Sequence, residues 1–132
     1  MNVIFYKAGP NGGADELLRS LTGFVPGDRL NTVSDLTSFS ERIRRRRDPD
    51  SIAVIWNPSR EDLRALGAMK DILRGGRTLL SLADQEAETI ALAHDLLPAF
   101  IAYVDDGHTE ILSVLEKLVR AKGRGAGPGG SS

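Results

Sequence analysis

The sequence has no cysteine and only two histidines among its 132 residues. The missing cysteines exclude disulfides, thiolate metal sites and thiol nucleophiles. Acidic and basic residues nearly balance, at 18 against 17, so no strong overall charge draws the chain to nucleic acid or to an anionic membrane. The first apolar run ends at Lys7 and is too short for a signal peptide or a membrane span. We therefore expect a cytoplasmic protein without a membrane segment.

The composition does not indicate a disordered protein, and the length does not indicate several domains. Hydrophobic residues make up 41% and charged residues 27%, which is typical of a globular domain, and the length fits one domain. The last ten residues are mostly glycine, serine and proline and cannot bury apolar area. We expect a folded domain over residues 1–122 and a flexible tail over residues 123–132.

Short apolar runs alternate with helical patterns five times along the chain. The predicted strands are residues 3–6, 30–33, 52–56, 78–82 and 100–104. The run 52–56 has no polar alternation, which is typical of a strand covered on both faces of a parallel sheet. Parallel strands need crossover helices, so the pattern predicts an α/β protein. We expect a single three-layer domain with a five-stranded, doubly wound parallel sheet in the order 2-1-3-4-5.

Two helix starts carry capping signals. Ser59 and Asp62 are three residues apart, as in a capping box, and open a predicted third helix that continues to Gly75-Gly76. Asp84 is expected to cap the fourth helix. The apolar residues that we expect on the inner face of the fourth helix are Ile90, Ala91, Ala93 and Leu97.

In an open parallel sheet, ligands bind beyond the carboxyl ends of the strands. The polar residues predicted at those ends are Lys7, Asn57, Ser81, Asp105 and Asp106. With its length, its five-unit alternation and an aromatic residue near the end of the fifth strand, Tyr103, the chain resembles the receiver domain of two-component response regulators. The resemblance covers residues 2–122 and implies a flavodoxin-like fold.

The strand-end residues depart from those of the family that the chain resembles. Receiver domains have an acidic pair after strand one, a phosphate-accepting aspartate after strand three, a hydroxyl after strand four and a lysine after strand five. Lys7 replaces the acidic pair and cannot hold a magnesium ion, and the Asn57 amide cannot act as the nucleophile. Ser81 matches the hydroxyl and Tyr103 resembles the aromatic switch residue, whereas Asp106 stands where the lysine is expected.

The resemblance with these departures implies a pseudo-receiver, a noncatalytic regulatory domain that is not phosphorylated on aspartate and needs no metal or cofactor. Such domains act through protein partners, and we expect contacts through the face of strand four, helix four, strand five and helix five, or in a homodimer. Lys7 is hypothesised to pair with Asp105 or Asp106 in place of the phosphate-dependent contacts. Trp56, at the end of strand three, is hypothesised to fill the cavity that a phosphate would use.

The glycine-rich loop after strand one supports a second hypothesis. Its residues Gly9, Asn11, Gly12 and Gly13 stand where nucleotide-binding folds cradle phosphate, so a nucleotide- or anion-binding module is the alternative function. The spacing is not that of the dinucleotide fingerprint or the P-loop. A plain loop is therefore favoured.

Two other features have both a functional and a simple structural interpretation. The run Arg44–Arg47 suits an acidic partner or nucleic acid, but it also ends a helix, where the macrodipole favours cations. A solvated helix end is favoured, and we do not expect nucleic-acid binding. His108 with Asp105, Asp106 and Ser81 would form an acid–base group, but no nucleophile elbow accompanies them, so catalysis is disfavoured.

Overall fold

The computed structural model describes residues 2–8, 13–23, 25–45, 51–74 and 76–125. Its strands are β1 (Val3–Lys7), β2 (Leu30–Val33), β3 (Ile52–Trp56), β4 (Arg77–Leu82) and β5 (Phe100–Tyr103). All neighbouring strands are parallel, and their order is β2-β1-β3-β4-β5. The predicted fold class is confirmed: the protein has an α/β, flavodoxin-like fold.

The helices are α1 (Gly13–Leu21), α2 (Leu36–Arg45), α3 (Arg60–Ala68), α4 (Lys70–Leu73), α5 (Ala87–His94) and α6 (Thr109–Gly125). Short 3-10 turns span Gly27–Arg29 and Val104–Asp106. Helix α6 runs three residues past position 122, and residues 126–132 lie outside the described part of the chain. None of the helices in the described ranges is long and apolar enough to cross a membrane.

Side chains alternate between two hydrophobic cores, one on each face of the sheet. Phe5 and Trp56 pack in the core under α1 and α6, whereas Tyr6 and Ile55 pack in the core under α2, α3 and α5. Every residue of β3 is buried, because this central strand is covered on both sides. Double coverage explains why residues 52–56 show no polar alternation.

The capping box that opens α3 is confirmed, but the predicted third helix is two helices. Ser59 Oγ accepts a hydrogen bond from the Asp62 amide at 3.0 Å, and Asp62 Oδ2 accepts one from the Ser59 amide at 3.0 Å. The helix breaks at Met69, where φ is −115° and ψ is 23°. Gly67 lies just before the break, and glycine is a weak helix former. A Cβ atom at position 67 would lie 3.3 Å from Asp95 Oδ2.

The start of the fourth predicted helix differs from the expectation. The residue that precedes the first turn of α5 is Glu86, and Asp84 lies two residues further upstream. Asp84 Oδ1 accepts a hydrogen bond from the Glu86 amide at 3.0 Å. This is an Asx-type turn in the loop before the helix, because the carboxylate of Asp84 bonds the backbone two residues on and not the helical amides beyond.

The predicted inner face of that helix is correct only in part. The buried residues of this stretch are Thr89, Ala93 and Leu96. Ile90 is half-buried, whereas Ala91 is exposed and Leu97 is 62% exposed. Helix α5 ends at His94 and Leu97 has φ 53°, so the helical period that placed Leu97 inward does not extend to it.

Candidate functional site

The predicted site residues lie along the carboxyl edge of the sheet. Lys7 is the last residue of β1, Asn57 follows β3, and Ser81 is the last residue but one of β4. Asp105 and Asp106 are exposed in the 3-10 turn after β5. The topology therefore brings all five residues to the edge where this class of sheet binds its ligands. Their side chains make different contacts there.

Lys7 pairs with a helix residue and not with the end of β5. Its Nζ atom lies 3.5 Å from Asp15 Oδ1 in the first turn of α1. The structure describes Lys7, Asp105 and Asp106 and forms no ion pair of Lys7 with either aspartate, so that hypothesis is wrong. The reason is strand order, since β3 and β4 lie between β1 and β5 and three strand spacings amount to roughly 14 Å.

The end of β3 is held by packing and by backbone hydrogen bonds. Trp56 is 0% exposed and packs in the core under α1 and α6. Its carbonyl accepts a hydrogen bond from the Ala8 amide at 3.0 Å. Asn57 has φ 56°, a left-handed conformation that asparagine tolerates, and its amide donates to the Ser81 carbonyl at 2.8 Å.

Two buried polar atoms at this edge have no hydrogen-bond partner among the described residues. Ser81 pairs in register with Trp56, and both the Ser81 hydroxyl and the Trp56 indole nitrogen are buried and unbonded. A buried polar group without a partner costs about 1–3 kcal/mol. His108 does not bond the Ser81 hydroxyl, because its Nδ1 atom faces Glu16 Oε2 at 3.9 Å. The acid–base group considered from the sequence is therefore not assembled.

Tyr103 and Leu97 lie at opposite ends of β5: Tyr103 ends the strand at the carboxyl edge of the sheet, whereas Leu97 precedes the strand at the amino edge. Tyr103 is the last residue of β5 and packs, half-buried, against the core under α2, α3 and α5. Within the described ranges, Leu97 is the one large hydrophobic side chain that is exposed. The sequence placed Leu97 inward, so its exposure is a feature that sequence reasoning missed.

An ionic network between α3 and α5 was also missed. The Arg60 guanidinium donates to Glu86 Oε1 at 2.6 Å, to Glu88 Oε1 at 3.0 Å and to Thr89 Oγ1 at 3.2 Å. Arg64 donates to the second oxygen of Glu88. The available signal was the four-residue spacing of the two arginines, which places both on one face of a helix. The network fixes the start of α5 to the start of α3.

The network also shifts the ionisation of its members. The hydrogen bond to Glu86, with the charge of Glu88, raises the pKa of Arg60 above its ordinary value. The pKa of Asp84 is lowered, first by the hydrogen bond from the Glu86 amide and then by one from the Thr89 hydroxyl. Both shifts favour the charged forms, so the loop between β4 and α5 keeps its ion pairs at neutral pH.

The remaining features of the carboxyl edge are the glycine-rich loop and the groups that could bind a metal ion. Gly9, Asn11 and Gly12 lie outside the described residues, and Gly13 begins α1. In the described part of the chain, no group of three or more His, Asp or Glu side chains is placed to hold a metal ion. The described side chains here that can contact a ligand are therefore hydrogen-bonding and charged groups, led by Lys7 and Asn57.

The sheet topology and the residues at its carboxyl edge are the features from which a function could be assigned. The same topology carries many unrelated functions, so it does not by itself assign one. In comparisons with known proteins, the sequence matches no family model and no curated protein.

Proposed function

We propose that the chain is a noncatalytic, receiver-like regulatory domain that is not phosphorylated on aspartate and acts by binding another protein. The observation that carries the proposal is the pair of residues at the end of β3. Trp56 is fully buried there, and Asn57 follows it with its amide bonded to the neighbouring strand. No carboxylate nucleophile occupies this position.

The chemistry of the neighbouring residues supports the same conclusion. Phosphoryl transfer to a receiver needs oxygen ligands for a divalent cation beside a carboxylate nucleophile. Lys7 presents an ammonium group at this edge, and the nearest carboxylate, Asp15, is already paired with it at 3.5 Å. A cation at the end of β1 opposes the binding of a second cation.

The partner surface that we propose is the face built from β4, α5, β5 and α6, and Leu97 supports it. Leu97 has a left-handed backbone conformation, which costs a leucine about 1–2 kcal/mol. Its exposed side chain also lacks the free energy that burial of an apolar group contributes. Tyr103 and Ile101 lie half-buried on the adjacent strand. Binding a protein, either a distinct partner or a second copy of the chain, would cover this leucine.

A phosphodonor experiment tests the loss of phosphoryl chemistry. We expect that acetyl phosphate with Mg²⁺ leaves the intact mass unchanged, and that beryllofluoride with Mg²⁺ leaves the fluorescence of Trp56 unchanged. A phosphorylatable receiver domain treated in parallel is the positive control. A mass increase of one phosphoryl group, located on an aspartate, would overturn the proposal.

A substitution at Leu97 tests the surface. Sedimentation velocity over a range of concentrations reports self-association, and affinity capture from the source cells reports a distinct partner. We expect Leu97→Ser to weaken whichever association the wild type shows, while Ala68→Ser, an exposed change on α3, leaves it intact. Equal association of both variants would show that the Leu97 surface is not the one used.

A further inference from the structure

Helix α2 carries three exposed arginines that have no acidic partner among the described residues. Arg42, Arg44 and Arg45 form no ion pair with any residue in the described part of the chain. Arg44 donates to the Ser40 hydroxyl, at 3.2 Å. By contrast, Arg60 is neutralised by two glutamates. We call Arg42, Arg44 and Arg45 the α2 ridge.

A polar cleft of about 420 Å³ lies on one side of the α2 ridge, beyond the carboxyl end of β2. Arg42 and Arg45 line it together with the hydroxyl groups of Thr32, Ser34 and Ser38. Guanidinium groups beside hydroxyls are donors that suit the oxygens of an acidic group, because a guanidinium can bind a carboxylate through two parallel hydrogen bonds. The cleft is large enough for acidic side chains.

A second cleft of about 300 Å³ lies along the other side of the ridge. It is lined by Arg44 with the hydroxyl groups of Thr37 and Ser40, and by the apolar side chains of Leu36 and Met69. Arginine and hydroxyl groups are thus repeated on both flanks of one helix. The apolar floor of this cleft can contact the methylene groups of a bound side chain.

Two carboxylates, Asp35 and Glu41, also line these clefts. Asp35 caps α2: its Oδ1 atom accepts from the Ser38 amide at 2.7 Å and its Oδ2 atom accepts from the Ser38 hydroxyl at 3.0 Å. Glu41 lines both clefts and has no ion pair within the described ranges. Hydrogen bonds from Ser38 do not remove the charge of Asp35, so three ridge arginines against Asp35 and Glu41 leave one positive charge without compensation among the described residues of the two clefts.

We propose that the α2 ridge binds an acidic segment of a partner protein, with side-chain carboxylates entering the clefts on its two sides. The charge of the ridge favours an acidic ligand although the whole chain carries a net charge of −1. A peptide is favoured over nucleic acid because Glu41 lies between the clefts. It would oppose a continuous phosphate backbone crossing α2, whereas carboxylates on a peptide can bind on either side of it.

This surface goes beyond the proposed function, because it is separate from the one at Leu97. Helix α2 packs beside β1 and β2 at one edge of the sheet, whereas Leu97 precedes β5 at the opposite edge. A partner can therefore engage either surface alone or both. Loss of binding at one surface leaves the other available for measurement.

Fluorescence anisotropy with the full chain tests the α2 ridge. The probe is a fluorescein-labelled Glu-rich peptide, and a Gln-rich peptide of the same length measures uncharged binding. We expect saturable binding of the Glu-rich peptide that weakens as salt is added. The variant Arg42→Gln/Arg45→Gln should bind roughly tenfold more weakly, since two exposed charge contacts are lost.

The control variant is Arg19→Gln/Arg77→Gln, which removes two exposed arginines that also lack ion pairs in the described ranges. It should bind like the wild type, and so should Leu97→Ser. Arg44→Gln is a second ridge variant, and circular dichroism checks that each variant folds. Equal weakening of the control, absence of saturable binding at low salt, or tighter binding of a DNA duplex would each overturn the proposal.

Discussion

At the scale of single residues, Tyr6 shows how the core controls ionisation. Its ring stacks on Phe39 with the centroids 5.0 Å apart, and the residue is 2% exposed. Burial, followed by the charges of Asp62 and Asp35, raises the pKa of Tyr6 from 10.0 to about 12. The native fold therefore holds the phenol proton over a pH range in which the unfolded chain releases it.

We expect this proton to make stability depend on alkaline pH. Between pH 10.0 and about 12 the unfolded state binds fewer protons than the native state, so the free energy of unfolding falls as pH rises. A shift of this size corresponds to about 2–3 kcal/mol, fully present below pH ~10. Urea unfolding across this range measures the loss. Tyr6→Phe should remove this part of the pH dependence, and Tyr103→Phe should retain it; identical profiles for the two variants would contradict the assignment.

Ser81 and Thr89 allow a comparison of two buried hydroxyls. The Ser81 hydroxyl has no partner in the described part of the chain, whereas the Thr89 hydroxyl accepts from Arg60 Nε at 3.2 Å. We expect Ser81→Ala to leave the free energy of unfolding unchanged or to raise it by about 1 kcal/mol, because an unsatisfied group is removed. Thr89→Val should lower it by about 1 kcal/mol. Chemical denaturation measures both, and the reverse order would show that Ser81 is hydrogen-bonded in solution.

At the scale of elements, the stability of α5 depends on its contacts with the rest of the fold. It is eight residues long, and isolated helices of this length are marginal in water. Apolar packing through Ala93 anchors its last turn, and the ionic contacts of Arg60 and Arg64 anchor its first turn. Networks of this kind contribute more than isolated surface pairs, because several charges share one geometry.

We expect Arg60→Ala to loosen the start of α5. Hydrogen exchange of the backbone amides in the first turn of α5 should become several-fold faster, because three side-chain hydrogen bonds are lost. Added salt should have the same effect on the wild type. The matched control is Arg74→Ala, which breaks one exposed pair with Asp71 at 3.7 Å. Unchanged exchange at the start of α5 in Arg60→Ala would show that the ionic network does not hold it.

At the scale of the whole molecule, the sheet order places the site between β1 and β3, where the chain reverses direction across the sheet. Domains of this topology bind phosphate-bearing ligands at that point. Here β1 ends in Lys7, paired with Asp15, and β3 ends in a buried tryptophan. Under the function that we propose, the domain acts through its surface and not through a bound nucleotide.

A thermal-shift experiment distinguishes the two functions that the sequence left open. A ligand that binds only the native state raises the unfolding temperature, by an amount that grows with its concentration. We expect no reproducible rise in the unfolding temperature with nucleoside mono-, di- or triphosphates, with or without Mg²⁺. A concentration-dependent rise with one nucleotide, abolished by substitution of Gly12 and Gly13, would support nucleotide binding at the glycine-rich loop.

The sequence by itself determined the elements whose signals are local. The unbroken apolar run 52–56 predicted a doubly covered strand, and Ser59 with Asp62 predicted a capped helix, because both patterns depend on residues a few positions apart. The alternation of five such strands with helices was sufficient to predict the parallel sheet, and the expected order, which is a common one for doubly wound sheets, is confirmed.

Only the tertiary structure decided which side chains meet across the fold. Lys7 pairs with Asp15 because two strands separate it from β5, Arg60 meets Glu86 because α3 and α5 pack side by side, and Leu97 is exposed because α5 ends at His94. These contacts join residues distant in sequence or depend on where a helix stops. Local patterns carry no information about such distances, since they arise only when the layers pack together.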